Sequence, residues 1–161
     1  MPVDADTFKK ALGSWASGVT IVTSQLGDER LGMTVSAFSS VSLSPPLVLV
    51  SADKGSNTNA LIQRSRAFTV NVLSGEQSAL SNLFADKKRE AIRFDGLRCQ
   101  TGATGCPRLP GALAVLDCHV RDEIDAGDHI VYIASVEAAE LESSLEPLVY
   151  FKGGYKTLVT R

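Results

Sequence analysis

Gly32-Met33-Thr34-Val35-Ser36-Ala37-Phe38-Ser39-Ser40-Val41-Ser42-Leu43-Ser44-Pro45-Pro46-Leu47-Val48-Leu49-Val50-Ser51 is the stretch that decides the fold. It opens with side chains that alternate in character, as a strand with two unlike faces requires. A hydroxyl-rich segment follows and reads as a bend, and the chain re-enters the sheet through Leu47-Val48-Leu49-Val50. Pro45 and Pro46 mark the point of re-entry, because neither can donate a backbone hydrogen bond. Polar density is thereby placed between two buried strands.

Upstream, Val19-Thr20-Ile21-Val22-Thr23 is β-branched throughout and predicts a strand. The polar turn at Gly27-Asp28 leads into Leu31 to Phe38, so the first two strands should form a hairpin. Before them, Phe8, Leu12 and Trp15 recur at helical spacing behind Asp4 and Asp6, which predicts a short amphipathic helix ending near Gly13. Downstream, Ser56-Asn57-Thr58 offers three capping residues for a short helix closing near Ser65. Phe68 to Leu73 predicts a strand, and Gly75 to Ala85, with Leu80, Leu83 and Phe84 on one face, a helix followed by the charged run Asp86 to Glu90. Cys99 to Gly111 is punctuated like a loop. Ala112 to Ile124 and His129 to Leu141 predict two long strands joined at Asp125-Ala126-Gly127-Asp128, and Leu148 to Phe151 and Tyr155 to Val159 complete the sheet.

These six or seven strands and two or three short helices lack the regular alternation of a doubly wound parallel sheet, and no Gly-x-Gly-x-x-Gly is present. The expected class is mainly β: an antiparallel barrel with peripheral short helices. With 161 residues, 44% hydrophobic and 21% charged, the chain suits one domain spanning 1–161. A net charge of -2 offers no basic face for nucleic acid. No apolar run approaches the ~20 residues that span a bilayer. Met1 to Asp6 is acidic without an apolar core, so neither a secretory signal nor a transit peptide is expected, and the expected location is cytoplasmic. Cys99, Cys106 and Cys118 show no Cys-x-x-Cys spacing and read as reduced thiols, with no metal site.

Short hydroxyls and backbone amides at a strand-to-strand bend, with no catalytic acid or metal ligand beside them, suit the rim of a flat heteroaromatic ring better than they suit hydrolysis. Six segments, in order, carry a resemblance: Trp15 to Thr23, Gly32 to Phe38, Ser40 to Leu47, Phe68 to Leu73, Gly127-Asp128-His129 and Pro147 to Tyr150. Together they resemble the flavin reductase family, which supplies reduced flavin to two-component monooxygenases. The resemblance departs at Ala37, where many relatives carry serine, at Ala134, where glycine is frequent, and in lacking an acidic residue before Arg93-Phe94. It implies a split β-barrel of the FMN-binding type, usually a homodimer. The implied activity is NAD(P)H:flavin oxidoreduction, with FMN or FAD as flavin and NADH or NADPH as co-substrate.

The resemblance places Met33, Thr34, Val35, Ser36 and Ser39 around the isoalloxazine, where fixed dipoles at the ring rim tune binding and potential; the plain alternative is a strand with hydroxyls facing solvent. Ser51, Ala52, Lys54, Ser56, Asn57 and Thr58 form the candidate ribityl and phosphate cradle, because a helix start favours an anion and Lys54 adds charge. An ordinary N-cap would need no ligand. Arg89 could reach the same phosphate, although charge runs are commonly solvated faces. Asp128 and His129 are implied beside the nicotinamide, with Asp128 fixing the tautomer or the turn. A turn aspartate next to an exposed histidine is the alternative. Tyr155 is a candidate pocket residue, and His119 reads as structural. The final acceptor is a partner monooxygenase or a small electron acceptor. Rival readings are a protein that retains its flavin and reduces a corrinoid or ferric complex, and a non-enzymatic flavin- or haem-binding split-barrel module.

Overall fold

Strand propensity and turn chemistry agree over the first hairpin: Thr20–Leu26 and Glu29–Val35 pair antiparallel about Gly27, whose φ of 59° is the left-handed value a tight turn needs. The computed structural model describes residues 1–159. In chain order the elements are α1 (Ala5–Gly13), β1 (Ser17–Gly18), β2 (Thr20–Leu26), β3 (Glu29–Val35), β4 (Phe38–Leu43), β5 (Pro46–Asp53), α2 (Asn57–Ser65), β6 (Ala67–Val72) and α3 (Ser78–Ala85). A 3-10 segment (Lys87–Ile92) follows, then β7 (Gln100–Thr101), β8 (Pro107–Arg108), β9 (Ala114–Ala126), β10 (His129–Leu141), β11 (Val149–Phe151) and β12 (Gly154–Lys156). No helix among the described residues is long and apolar enough to cross a membrane.

Seven strands form one antiparallel sheet in the order β3-β2-β6-β9-β10-β5-β4. Its outermost strands, β3 and β4, are joined by only Ser36 and Ala37. Three Cα steps reach about 11 Å, whereas a flat seven-stranded sheet would set its edges roughly 29 Å apart. The sheet therefore curls until its two edges meet, which is the split barrel that the resemblance implied. Val22, Val50, Phe68 and Tyr132 fill the interior, and Ile21, Leu73, Phe84 and Leu148 make a second apolar layer on the outside. Strand β2 is buried on both faces for this reason, which explains an unbroken β-branched run where a one-sided strand would alternate.

Three expectations need correction. The hydroxyl-rich segment is not a bend: Phe38–Leu43 is strand β4, paired with β5 from Phe38↔Val50 to Leu43↔Pro46. Pairing with the apolar strand β5 outweighs the turn preference of serine, and the bends are confined to Ser36-Ala37 and Ser44-Pro45. The terminal strands do not finish the main sheet; β11 and β12 join β1 in a separate three-stranded sheet. The Cys99–Gly111 loop contains the small β7–β8 ladder. Helix α1 forms where its periodicity predicts, capped by Asp4 Oδ1 accepting the Thr7 N–H at 2.9 Å, yet none of its residues is buried.

Candidate active site

Strand β3 is an edge, and its backbone facing can be derived from two bonds. The Gly32 carbonyl accepts Arg93 Nη1 at 2.7 Å, while the Val35 carbonyl accepts the Thr20 hydroxyl at 2.5 Å on the β2 side. Backbone polar groups alternate between the two edges of a strand, so the N–H and C=O of Thr34 face outward. The Thr34 hydroxyl is already committed, donating to the Ser81 carbonyl of α3 at 2.6 Å. Thr34 thus offers main chain, held in place by its own side chain.

A trench runs along this edge in three adjoining chambers. The first, about 280 Å³, is lined by Met33, Thr34, Asp53, Ser56, Asn57 and Arg93 among others. A second, about 400 Å³, shares Thr34 and Ala85 with the first and adds Ser36, Ser81, Asn82, Tyr150 and Tyr155. The third, about 570 Å³, shares Ser36, Tyr150 and Gly153 with the second and opens onto Leu12, Trp15, Phe38 and Ser39. Helix α3 reaches the edge because position 32 is glycine: a Cβ there would lie 2.8 Å from Phe84 Cε1.

One end of the trench meets the start of α2. Ser56 Oγ accepts the Asn59 N–H at 3.0 Å as N-cap and approaches Met33 Sδ at 3.2 Å. Asn57 Nδ2 donates to Glu90 Oε1 at 2.8 Å. Thr58 is fully buried and its hydroxyl has no partner. Unpaired first-turn amides, the Ser56 hydroxyl and the positive helix end constitute a donor set for an oxyanion, whereas Thr58, expected in the cradle, is buried and does not line the chamber. With the outward Thr34 amide one chamber away, these residues fit a ring-plus-phosphate ligand such as a flavin nucleotide.

At the neighbouring corner, His129 Nδ1 and Asp128 Oδ1 are 2.7 Å apart. The hydrogen bond from His129 holds the Asp128 carboxyl below the usual carboxylate range. An ionised Asp128 accepts, which puts the ring proton on Nδ1 and leaves the Nε2 lone pair available. Strand register sets His129 opposite Asp53, which lines the first chamber. Lys54 lies on the same corner, where its ammonium donates to Asp125 Oδ1 at 2.8 Å.

The structure therefore brings Met33, Thr34, Ser36, Ser39, Ser56, Asn57 and Tyr155 to the trench. Val35 is turned away, with its side chain in the core and its carbonyl bonded to Thr20. Ala52 is likewise a core residue, and the Ser51 N–H is used by the Ala37 carbonyl at 3.0 Å. Arg89 is exposed on the 3-10 segment and does not line these chambers. His119, read as structural, is an exposed residue of β9. Sequence reasoning missed Arg93, Ser81 and Asn82. Ser81 carried a signal: it sits three residues before Phe84, a hydroxyl on the apolar stripe of α3. Its Oγ is 2.7 Å from the Tyr155 hydroxyl, which donates onward to Asn82 Oδ1 at 2.9 Å.

A curled antiparallel sheet with an outward-facing edge amide, a free helix start and a tautomer-fixed histidine at one corner defines a nucleotide-binding redox protein of the split-barrel class. Residues 12–159 match the model of the flavin reductase like domain, and the chain belongs to that family. It is 40% identical over 154 residues, 96% of this chain and 97% of the relative, to the reductase component of 4-hydroxyphenylacetate 3-monooxygenase from Thermus thermophilus. It is 37% identical over 157 residues, 98% and 96% of the two chains, to the FMN reductase (NADH) RutF of Enterobacter sp.. Among solved structures it resembles the NADH:FAD oxidoreductase SgcE6 of Streptomyces globisporus C-1027, with a TM-score of 0.93, 31% identity and coverage of 99% and 96%.

Proposed function

We propose that the protein, as a single flavin reductase-like domain, transfers hydride from NADH or NADPH to FMN or FAD and supplies the reduced flavin to a partner monooxygenase. The observation that carries this reading is the outward main chain of Thr34, placed in one trench with the α2 start. Relatives named as FMN reductase (NADH) and as a monooxygenase reductase component support it. When bound, a flavin supplies the hydride acceptor, and hydride transfer needs no general base.

The chain's own contribution is orientation and fixed dipoles. Thr34 presents a donor and an acceptor to a ring edge. Ser56 and Asn57 line the place suited to the phosphate, where the helix start favours negative charge. Asp128 keeps the His129 Nε2 lone pair free to accept from a carboxamide N–H, and Tyr155, tied to Ser81 and Asn82, walls the second chamber. Val19, Ala85 and Tyr150 make part of that chamber's wall apolar, which suits a second ring stacked on the first.

A cytoplasmic homodimer is what the sequence and the resemblance imply; Trp15 and Leu43, 78% and 93% exposed, are the apolar side chains we assign to a contact between copies. Mixing the purified protein with NADH and excess FMN tests the activity: nicotinamide absorbance should fall catalytically, and no loss would overturn the reading.

A further inference from the structure

The four-residue loop from Asp53 to Ser56 links β5 to α2, and it faces two ways. Asp53 closes it from within, its Oδ1 accepting the Gly55 N–H at 2.7 Å and its carbonyl the Ser56 N–H at 3.1 Å. Ser56 then caps α2. Lys54 points the other way, to the turn between β9 and β10. Its backbone N–H donates to the Asp128 carbonyl at 3.0 Å and its ammonium to Asp125 Oδ1 at 2.8 Å. Asp125 and Asp128 stand on opposite sides of Gly127, where the chain reverses with φ 68°. One residue therefore grips both arms of the turn.

That grip matters because, beyond the ladders that reach His129↔Ala126 and His129↔Asp53, the turn has no buried side chain to hold it. Every residue from Arg121 to Asp128 is exposed, and the first buried residue of β10 is Ile130. A hairpin tip without buried apolar contacts frays. The other charged groups at this corner are Arg121, Asp122, Glu123, Asp128, His129 and Asp53; Arg121 lies 3.5 Å from Asp122, His129 bonds Asp128, Glu123 is engaged by Arg66 and Gln63, and Asp53 lies 3.9 Å from Lys87 Nζ. Lys54 is thus the cation that meets Asp125.

We propose that Lys54 is a positioning residue, which clasps the β9–β10 turn through Asp125 and the Asp128 carbonyl and so holds His129 at the nicotinamide side, instead of neutralising the flavin phosphate. The proposal rests on the reading of His129 given above. Loosening the clasp lowers the fraction of molecules with His129 in place, and apparent affinity for the nicotinamide falls by that fraction. An exposed ion pair contributes modestly, which corresponds to a change of about two- to fivefold.

The test uses the full chain with Asp125→Asn, Lys54→Met, His129→Ala and the exchange Lys54→Asp with Asp125→Lys. Asp125→Asn should raise the KM for NADH about two- to fivefold with kcat kept, and should speed hydrogen exchange of the Lys54 amide. The charge exchange should restore both toward the parent. Lys54→Met should leave the ratio of FMN to riboflavin dissociation constants unchanged. A selective loss of FMN in Lys54→Met overturns the proposal by assigning Lys54 to the phosphate. An unchanged KM in Asp125→Asn, where His129→Ala raises it, overturns the positioning role. An unaltered Lys54 exchange rate removes the clasp itself, whereas an unchanged KM in His129→Ala overturns the reading of His129 and with it the purpose of the clasp.

Discussion

Arg93 Nη1 lies 2.7 Å from the carbonyl oxygen of Gly32, and this contact fixes which backbone groups of β3 face the trench. The same guanidinium donates from Nε to the Leu83 carbonyl at 3.3 Å and from Nη2 to the Asp86 carbonyl at 2.9 Å. One planar fork thus joins the edge strand, the end of α3 and the start of the 3-10 segment. Its side chain is only 4% exposed, and burial pushes its pKa down while Glu90 and Asp86 push it back.

Arg93→Met should cost about 3 kcal/mol, because three carbonyls lose a charged donor in a nearly dry site. Arg93→Lys should recover only part, since an ammonium cannot reproduce the planar geometry. Urea denaturation with a flavin-binding titration checks both: stability and flavin affinity should fall together, and a fall in stability alone would separate Arg93 from the trench.

Gly32→Ala should destabilise by about 1–3 kcal/mol. The added Cβ would sit 2.8 Å from Phe84 Cε1 and 3.1 Å from Thr23 Cγ2, so α3 has to move off the edge strand. The denaturation midpoint should drop without a change in slope.

Ser56→Asp should weaken FMN by about 1 kcal/mol or more and leave riboflavin nearly unaffected, because it sets like charge against the phosphate at the α2 start. Fluorescence titration with both flavins decides; equal losses would remove the phosphate from this helix.

Acid stability should depend on Asp117. Burial pushes this carboxyl upward, but hydrogen bonds from Arg108, the Ala103 N–H and Thr69 outweigh it and hold the group below its usual range. A depressed folded-state pKa stabilises fully above the unfolded value of about 4 and loses that contribution as pH falls through the folded value. Asp117→Asn should therefore cost about 3–5 kcal/mol at neutral pH, from breaking a buried pair, and much less at the lowest pH where the parent remains folded. Thermal melts across that range read the difference.

If the proposed homodimer forms through the outer face of β4, Leu43→Glu should shift it to monomer in light scattering. Leu43 is 93% exposed in the single chain, so the substitution has no cost within it. An unchanged mass would place the dimer contact elsewhere.

Much of the fold was legible because local preference and tertiary demand coincide. The β2–β3 hairpin, α2 behind Ser56 and the long β9–β10 pair all carry their own turn or cap residues. Strand β4 was not legible: Ser39, Ser40 and Ser42 are turn formers by local preference, and only partners on β5 make five of the six residues Phe38–Leu43 ladder members. The small sheet of β1, β11 and β12 pairs segments more than a hundred residues apart in strands of two or three residues, too short to show a period. Along the trench, Ser56 and Asn57 were readable as capping residues, whereas Thr34 came from the resemblance. Arg93 was not, since an arginine behind Lys87-Lys88-Arg89 looks solvated until the chain folds it under α3. Lys54 was read toward the phosphate cradle, and its observed partner Asp125 was not legible because it lies 71 positions away in sequence.

The joint at Ser36-Ala37 has a further consequence. On one side of these two residues the backbone of β3 addresses the trench, and on the other β4 presents Val41 and Leu43 to the outside. The two thus lie on opposite banks of a single short ford, and the outer side chains, which line none of the three chambers, can be exchanged without touching the inner bank.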